Sequence, residues 1–447
     1  MKKTLDLTQG KPMTQIFKFA VPLVFGTLFQ QLYSFVDTVI VGRYLGESAL
    51  AAVGSTTAVN WFILGFVQGA CIGFGIPVAQ EYGAKNSKEL HTYLWNGVFL
   101  CIILSIVSIV CFVPLTATLL HLVNTPSTIF DMAHTYLLII FLGIPFTVLY
   151  NYSASILRSL GNSKQPFYFL VASSILNIIL DIVLIKLGWG VAGAATATIF
   201  SQFVSGVLCT YWLFKQTPTI EIHRDDIHFS IYHCKRLCIV GLPLGFEYSV
   251  AAIGSLLVQN AVNLLGDVAI AAQTTGEKIR QMFTLPIESL GMAMATYASQ
   301  NYGAKKLERI YQGIKDGLLL VIGYCVLAWL IIFVGKQAFV YIVLGTTSGE
   351  VFTLSVEYLG IISTLFVIHG SLMIFRNTLQ GIGQSMKAII SGVGEIIGRG
   401  FGAYLASVFG FFAICIAGPL AWGCALIYCI VMVTLELKKA KKLFEQE

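Results

Sequence analysis

The sequence predicts an all-α integral membrane protein with twelve transmembrane helices, arranged as two pseudo-symmetric six-helix lobes. Three observations support this prediction. Only 11% of the 447 residues are charged, whereas soluble proteins carry about 25%. Long apolar runs follow one another along the chain with polar breaks between them. The two halves of the chain also repeat the same short motifs in the same order, which indicates a duplicated fold.

The composition excludes several classes of protein. Hydrophobic residues make up 56% of the chain and the mean hydropathy is +0.80, which excludes a disordered chain and a nucleic-acid binder and argues against a soluble enzyme. Most of the ten cysteines lie in apolar runs, and the sequence has no CxxC motif. We interpret them as small apolar helix residues, so no metal site is predicted from them. The polar N-terminus has no cleavage site and is interpreted as retained.

Twelve apolar runs are each long enough for a transmembrane helix, which needs about 20 apolar residues. The polar stretch 215–235 is the longest interruption. It is predicted to be a cytoplasmic linker between an N-terminal lobe, residues 1–214, and a C-terminal lobe, residues 236–447, which ends in a basic cytoplasmic tail. The predicted spans are 15–41, 52–80, 93–115, 133–157, 166–187, 191–214, 236–263, 269–298, 313–335, 353–375, 387–408 and 412–436.

The placement of Lys and Arg predicts the orientation of the chain. With alternating spans, 22 of the 28 cations fall on the side of the N-terminus, three on the opposite side and three within spans. Arg236 is counted among the linker cations, and Arg376 is counted in the loop after the tenth span. Because cytoplasmic loops are enriched in Lys and Arg, we expect a multi-pass protein of the cytoplasmic (inner) membrane with both termini cytoplasmic.

Short motifs recur at a spacing of about 220 residues. QEYGAKN (80–86) matches QNYGAKK (300–306), and LGESALAA (45–52) matches LGDVAIAA (265–272). Such parallel repeats are typical of secondary transporters. A channel is disfavoured because channels more often close a ring of identical subunits. ATP-driven transport is disfavoured because the sequence has no GxxxxGK[ST] motif.

The order of these motifs resembles the multidrug and toxin extrusion (MATE) family of antiporters. The resemblance rests on PLVFGTLFQQLYSFVDTVIVGRYLG (22–46), QEYGAKN, LRSLGNSKQP (157–166) and LGWGVAGAATAT (187–198), and it covers roughly residues 12–437. It implies export of amphipathic, often cationic compounds in exchange for inward flow of protons or sodium ions. We expect no cofactor besides the coupling ion H⁺ or Na⁺, no nucleic-acid partner, and a monomer in the lipid bilayer.

Two acids lie inside apolar spans, where a charged side chain costs about 2.5–3.5 kcal/mol on insertion scales. Asp37 lies four residues after Tyr33, and Asp181 lies four residues after Asn177, so each pair shares a helix face. No Lys or Arg of either span is placed to pair with these acids. Because burial disfavours the charged form of an unpaired carboxyl group, each acid can take up a proton near neutral pH, and each can equally bind Na⁺.

The positions of these acids resemble the DinF-like branch of the family. That branch has a cation site formed by a first-helix Asp and an Asn-x-x-x-Asp pair, which implies this role for Asp37, Asn177 and Asp181. It also implicates a sixth-helix Thr, for which Thr198 is the nearest match. The resemblance further implies that the first helix bends near Pro22 on protonation, and the alternative is a static kink.

The second half carries a different pattern of charges. Glu277 and Arg280 are spaced by three residues in the eighth span, and Glu395 and Arg399 are spaced by four residues in the eleventh. Both spacings suit ion pairs on one helix. We therefore predict that the second half neutralises its intramembrane charges internally.

Several polar side chains are predicted to line a substrate cavity, because a cationic compound favours carboxylates and hydrogen-bonding groups. The candidates are Gln30, Tyr33, Asn60, Gln68, Asn151, Glu247, Gln259, Asn263 and Glu288. For Glu247 and Glu288 the alternatives are structural pairing and exposure at the membrane interface.

Together these features predict a secondary transporter and not an enzyme. It would export amphipathic, cationic drugs or toxins by antiport with protons or Na⁺, through alternating access of two lobes. One alternative in the same superfamily is a flippase for lipid-linked oligosaccharides, which should have a strongly cationic cavity. The alternative from another class is an integral-membrane enzyme, but the sequence has no HExxH or GxSxG motif.

Overall fold

The structure is a computed structural model that describes residues 5–216 and 227–446, apart from the side chains of residues 216, 248–253 and 256. The described residues form fifteen α-helices and no β-strand. A π-helical turn, Ile185–Trp189, joins α7 to α8. The helices are α1 (Pro12–Leu45), α2 (Glu47–Ser55), α3 (Thr57–Ala84), α4 (Ser87–Leu122), α5 (Phe130–Leu142), α6 (Ile144–Ser159), α7 (Lys164–Leu184), α8 (Gly190–Gln216), α9 (Ile231–Asn263), α10 (Asp267–Gly303), α11 (Leu307–Leu344), α12 (Glu350–Thr364), α13 (Phe366–Gly381), α14 (Ser385–Phe409) and α15 (Phe411–Gln446).

Ten of the twelve predicted spans fall on one of these helices or on a bent pair, and the second and fifth spans each run past a helix boundary. The fourth span corresponds to α5 and α6, which meet at a bend of 47°, and the tenth corresponds to α12 and α13, which meet at the same angle. The second span was predicted to begin at residue 52, but the short helix α2 occupies residues 47–55 and α3 begins at Thr57. Most of the helices extend beyond the predicted limits because their ends are polar.

The helices differ in how apolar they are. Six helical segments are long and apolar enough to cross a membrane by themselves, and each bent pair qualifies as one further span. One of these segments, Lys164–Lys215, contains both α7 and α8. Helices α10 and α14 are not among these segments, and each carries at least three charged residues. Polar residues within spans mark functional positions more often than charges at the surface do.

The repeat in the sequence is also a repeat of backbone conformation. Lys85 ends α3 with a φ of 59°, and Lys305 follows α10 with a φ of 56°, so the matching motifs place a lysine in the left-handed region. Left-handed residues other than glycine are uncommon. The two bent pairs, α5–α6 and α12–α13, repeat in the same way. The two halves therefore share one fold, as the sequence predicts.

One compact unit comprises residues 5–6 and Phe25–Tyr248, within the described ranges. We call it the first unit. Its apolar core includes Val67, Leu90, Phe141 and Ile156, all fully buried or nearly so. In this unit α6 packs against α3 and α8, and α7 lies along α8.

The other compact unit, here the second unit, comprises Leu7–Val24 and Ser249–Glu447. Helix α14 lies along α15 over most of its length. A Cβ atom added to Gly398 would be 2.5 Å from the Cα of Ala421, and one added to Gly402 would be 2.5 Å from the Cβ of Ala417. Small residues spaced by four positions allow two helix backbones to approach closely, which explains this packing.

The predicted lobes were residues 1–214 and 236–447, with the linker 215–235 between them. Residues 217–226 of that linker lie outside the described residues. Helix α9 begins at Ile231, inside the predicted linker, and its first part belongs to the first unit. Helix α1 is likewise divided between the two units. Its residues up to Val24 belong to the second unit, and its residues from Phe25 onward belong to the first unit. Pro22 lies just before this division.

Candidate functional site

Helices α1 and α7 bring the two predicted acids together inside the first unit. Asp181 is fully buried, Asn177 one turn earlier on α7 is 2% exposed, and Asp37 on α1 is half-buried. The carboxyl groups of Asp37 and Asp181 interact directly, within hydrogen-bonding reach when one of them is protonated. The two acids, 144 positions apart in sequence, therefore act as one carboxyl pair.

Most polar atoms of the carboxyl pair and of Asn177 have no hydrogen-bond partner on other described residues. Both carboxyl oxygens of Asp181, the Oδ1 atom of Asp37 and both amide atoms of Asn177 are buried without one. A buried polar group without a partner costs about 1–3 kcal/mol. No cation among the described residues interacts with either carboxyl group. These side chains can therefore bind a proton or another cation.

Two tyrosines lie close to the carboxyl pair. Tyr33 precedes Asp37 by one turn of α1, and Tyr136 on α5 approaches from another helix; both interact electrostatically with Asp37 and Asp181. Tyr136 was not predicted from the sequence, because α5 is distant along the chain and its only local signal is one hydroxyl in an apolar run. Phenolic O–H groups in this position can donate hydrogen bonds to a carboxylate.

A cavity of about 280 Å³ adjoins the carboxyl pair in the first unit. Tyr33, Tyr136 and Asn177 belong both to its lining and to the surroundings of the pair. Of the predicted residues, the cavity is lined by Gln30, Tyr33, Asn60, Gln68, Asn151, Asn177 and Thr198. The structure thus places these seven side chains around one space.

Four predicted cavity candidates are not among the residues lining this cavity. Glu247 on α9 is half-buried, and Glu288 on α10 is exposed. Gln259 and Asn263 are exposed on α9, where the Gln259 amide donates to Asn263 at 2.9 Å. The sequence alone could not decide whether these four side chains line the cavity. Helical periodicity shows which residues share a helix face, but not what that face contacts.

Further polar side chains line the cavity and were not predicted. Thr147 on α6 donates a hydrogen bond to Gln202 on α8. The others are Ser34, Tyr150, Ser173, Ser174, Ser201 and Ser205. Small hydroxyl residues are common in membrane helices, where they bond to their own backbone. Their recurrence at helical spacing on α7 and α8 is the signal that could have indicated a shared polar face.

Glu277 and Arg280, two charged residues within α10 of the second unit, are paired with each other. Their charged groups are 2.6 Å apart, and Tyr358 on α12 donates a hydrogen bond to Glu277. The Arg280 guanidinium also lies 5.8 Å from the centre of the Trp422 ring, a cation–π distance. This group differs from the carboxyl pair because each of its charges has a partner of opposite sign.

Glu395 on α14 lies between two arginines. Arg399 is 3.5 Å from it at the i,i+4 spacing, and Arg376 on α13 makes a closer contact and also donates to Ser391 at 3.0 Å. The prediction that Arg376 lies in a cytoplasmic loop is wrong, because α13 continues to Gly381 and Arg376 is 6% exposed. Its partner is on another helix, so local sequence could not reveal the pairing.

Arg236 was also placed in a loop, and the structure corrects this. It lies in α9, where it donates hydrogen bonds to the Tyr93 hydroxyl at 3.1 Å and to Gln80 at 3.0 Å. A long side chain with five donors can reach polar groups on neighbouring helices from a helix end.

A duplicated bundle of apolar helices, with a carboxyl pair that has no cation partner among the described residues and that lies next to a polar cavity, defines a membrane transporter. The comparisons with known proteins agree. The model of the MatE family matches residues 22–183 and 243–399, one match in each half. The chain belongs to this family, the multidrug and toxin extrusion (MATE) transporters, which are transporters and not enzymes.

Relatives with curated names support the assignment. The chain is similar to "Probable multidrug resistance protein YoeA" of Bacillus subtilis, with 28% identity over 88% of this chain and 87% of the relative. It is also similar to "Probable multidrug resistance protein NorM" of Thermotoga maritima, with 27% identity over 84% and 81% of the two chains.

A solved structure shows the same fold. An outward-facing multidrug resistance MATE family transporter of the MOP superfamily superimposes with a TM-score of 0.92, covering 99% of both chains at 22% identity. A MOP superfamily transporter from Pyrococcus furiosus gives a TM-score of 0.91 with 99% of each chain covered, also at 22% identity. The predicted all-helical fold of two repeated halves is therefore confirmed.

Proposed function

We propose that the protein exports small amphipathic organic cations across the cytoplasmic membrane by antiport with protons. The observation that carries this proposal is the carboxyl pair of Asp37 and Asp181, which has no cation among the described residues and adjoins a cavity. Both termini would lie in the cytoplasm, because most loop cations are on that side even after Arg236 and Arg376 are removed from the count.

The carboxyl pair suits proton exchange. Two carboxyl groups in direct contact cannot both ionise easily, so the pair retains one proton until a positive charge replaces it. An organic cation in the cavity would supply that charge, so that substrate binding favours proton release and protonation favours substrate release. Asn177, with both amide atoms unpaired, can donate to a carboxylate or accept from an ammonium group.

The membrane potential drives only an exchange that moves net charge across the membrane. It supplies about 2.3 kcal/mol per elementary charge for each 100 mV. Exchange of two or more protons for one monovalent cation would move net charge and use this energy, whereas exchange of one proton would be driven by the pH gradient alone.

Pro22 lies where α1 passes from one compact unit to the other, which supports its predicted role as a hinge during alternating access.

Sodium is the alternative coupling ion. Asp37, Asn177 and Asp181 supply oxygen atoms that could bind it. Thr198 lines the adjoining cavity, and its hydroxyl group donates a hydrogen bond to the carbonyl oxygen of Ala194 at 3.1 Å. The proton is preferred because a contacting carboxyl pair binds it without further ligands.

Reconstituted vesicles distinguish the two ions. Ethidium transport would be followed under an imposed pH gradient without Na⁺, and then under an imposed Na⁺ gradient at equal pH. We expect transport in the first condition only. Transport driven only by Na⁺ would assign sodium as the coupling ion, and no transport in either condition would contradict the proposed function.

A further inference from the structure

Helix α15 is longer than a membrane helix needs to be. It runs for 36 residues, Phe411–Gln446, which is about 54 Å at 1.5 Å for each residue. The hydrocarbon core of a bilayer is about 30 Å thick. The part from Phe411 to Leu435 already extends over about 36 Å, so it is sufficient to cross this core. The last turns of α15, after Leu435, therefore lie at the membrane surface or beyond it.

One side of α15 is exposed along the part that crosses the membrane. Ile427 is 68% exposed, Val431 is 51% exposed and Leu435 is 45% exposed, at intervals of four residues. In a membrane protein such an exposed apolar stripe faces lipid. Lys438 and Lys442 follow Leu435 by three and seven residues, which places them on the same stripe. We call them the two stripe lysines.

The opposite side of the last turns is packed against the second unit. Leu437 is fully buried and Ala440 is 5% exposed. The ring of Phe444 lies 5.5 Å from the ring of Tyr302 at the end of α10, and the ammonium group of Lys305 lies 5.6 Å from the centre of the Phe444 ring. These contacts fix the rotation of the helix end. The two stripe lysines are therefore held on the side that faces away from the protein.

The two stripe lysines also differ from their neighbours in charge pairing. The ammonium group of Lys439 lies 3.0 Å from a carboxyl oxygen of Glu436, and that of Lys441 lies 4.0 Å from Glu445. The two stripe lysines are exposed and form no ion pair with any described residue. Two positive charges are therefore left for an anion from outside the chain.

We propose that the two stripe lysines bind the headgroup of an anionic phospholipid whose acyl chains lie along Ile427, Val431 and Leu435. The headgroup layer is about 5–8 Å thick on each side of the hydrocarbon core. The stripe lysines lie about 4.5 and 10.5 Å beyond Leu435 along the helix, and a lysine side chain can bend toward this layer. The proposal goes beyond the proposed function, because it does not depend on what the protein transports.

The continuity of the stripe favours a lipid over a soluble polyanion such as an acidic protein. A partner for this surface must present a negative charge directly beside an apolar surface, and an anionic phospholipid has that arrangement. Each lysine near an anionic membrane surface contributes about a fivefold preference for the charged lipid. Two lysines therefore suffice for a marked preference over a zwitterionic lipid.

Photo-cross-linking of the full-length protein in nanodiscs tests the proposal. The nanodiscs contain phosphatidylcholine and a small share of a photoreactive phosphatidylglycerol or, separately, of a photoreactive phosphatidylcholine. Both probes carry the reactive group near the carbonyl end of one acyl chain, so that they differ only in the headgroup. Mass spectrometry counts the lipids attached within residues 427–446. We expect the phosphatidylglycerol probe to give about tenfold more attachment, or a larger excess.

Variants of the two stripe lysines show whether their charge causes the preference. The double variant Lys438→Gln, Lys442→Gln should reduce the excess of the phosphatidylglycerol probe to about twofold or less. The double variant Lys438→Arg, Lys442→Arg keeps both charges and should keep the excess. Thermal unfolding should be unchanged in both, since the substituted side chains are exposed.

The matched control is the double variant Lys85→Gln, Lys88→Gln, which loses the same charge near the beginning of α4. Thr92 and Asn96, one and two turns after Lys88, are buried, so no exposed stripe leads to it. This control should keep the excess within residues 427–446.

Three results would overturn the proposal. They are equal attachment of the two probes to the wild type, an unchanged excess in the glutamine variant of the stripe lysines, and an equal loss in the control. Equal attachment, combined with binding of soluble polyglutamate that the glutamine variant loses, would assign this surface to an acidic protein instead. None of these results depends on ion-driven transport, so the proposed function is tested separately.

Discussion

Asn96 and Asp316, which lie 220 positions apart in the repeat, each accept a hydrogen bond from the backbone at the beginning of a long helix. Asn96 on α4 accepts from the N–H of Ser230, immediately before α9, at 2.8 Å. Asp316 on α11 accepts from the N–H of Met13, at the beginning of α1, at 2.9 Å. The first N–H groups of a helix have no partner inside the helix, so both side chains stabilise a helix end.

The variants Asn96→Ala and Asp316→Ala should each destabilise the protein by about 1–2 kcal/mol, because a helix N–H loses its acceptor. Thermal unfolding of the purified protein measures the change. Asp316→Asn keeps an acceptor oxygen and is the matched control, which should lose less. An equal loss in Asp316→Ala and Asp316→Asn would show that the negative charge matters and not the acceptor.

The carboxyl pair leads to a prediction about transport. Asp37→Asn and Asp181→Asn should each abolish pH-driven ethidium transport, because an amide cannot release a proton at this site. Expression and thermal stability should be retained, because each variant replaces a carboxyl group that is costly to bury in its charged form with a neutral amide. Glu308→Gln, at an acidic residue in the first turn of α11 outside the pair, serves as the control. Undiminished transport in Asp37→Asn or Asp181→Asn would refute the role of that acid.

The pairing of Glu395 leads to a prediction about stability. Arg376→Leu leaves Glu395 with only the more distant Arg399 and should destabilise the second unit by about 3–5 kcal/mol. The double variant Arg376→Leu, Glu395→Leu removes both charges of the closer pair and should recover much of that loss. Thermal unfolding of the single and double variants forms a double-mutant cycle. Additive losses would contradict a direct interaction.

Close packing of α3 on α9 within the first unit makes Gly73 intolerant of a larger side chain. A Cβ atom there would lie 2.4 Å from the Cα of Gly241. Gly73→Val should therefore force the helices apart and reduce the yield of folded protein, as measured by size-exclusion chromatography. Gly423→Val on α15 is the matched control, because nothing lies within 4 Å of its Cβ position. Equal yields of the two variants would contradict the packing.

The sequence was sufficient to predict the helical class and the duplication, for a physical reason. Membrane helices are apolar over a length set by the bilayer, so their number can be read from hydropathy. The same property hides the breaks at Gly143 and Leu365, because each bent pair is apolar on both sides of its bend. Hydropathy also fails to show where some helices end. In α13, Arg376 follows the apolar run directly but still belongs to the helix.

From the residues alone the carboxyl pair was predictable only as two separate acids, and the family resemblance implied that they belong to one cation site. Asp37 and Asp181 stand out because acids in apolar helices are costly, and that cost is local to each helix. Their contact depends on the packing of α1 and α7, which the sequence does not state. The cavity lining was harder to predict, because Ser173 or Ser201 is unremarkable until several helices place such hydroxyls around one space.

Proton release on substrate binding tests the central proposal most directly. Purified protein in a weakly buffered solution with a pH-sensitive dye would be mixed with ethidium, and the protons released for each ethidium bound would be counted. The account predicts about one proton for the wild type, since the carboxyl pair exchanges its proton for the cation, and none for the double variant Asp37→Asn, Asp181→Asn. Binding of ethidium to the wild type without proton release, or equal release from the double variant, would contradict it.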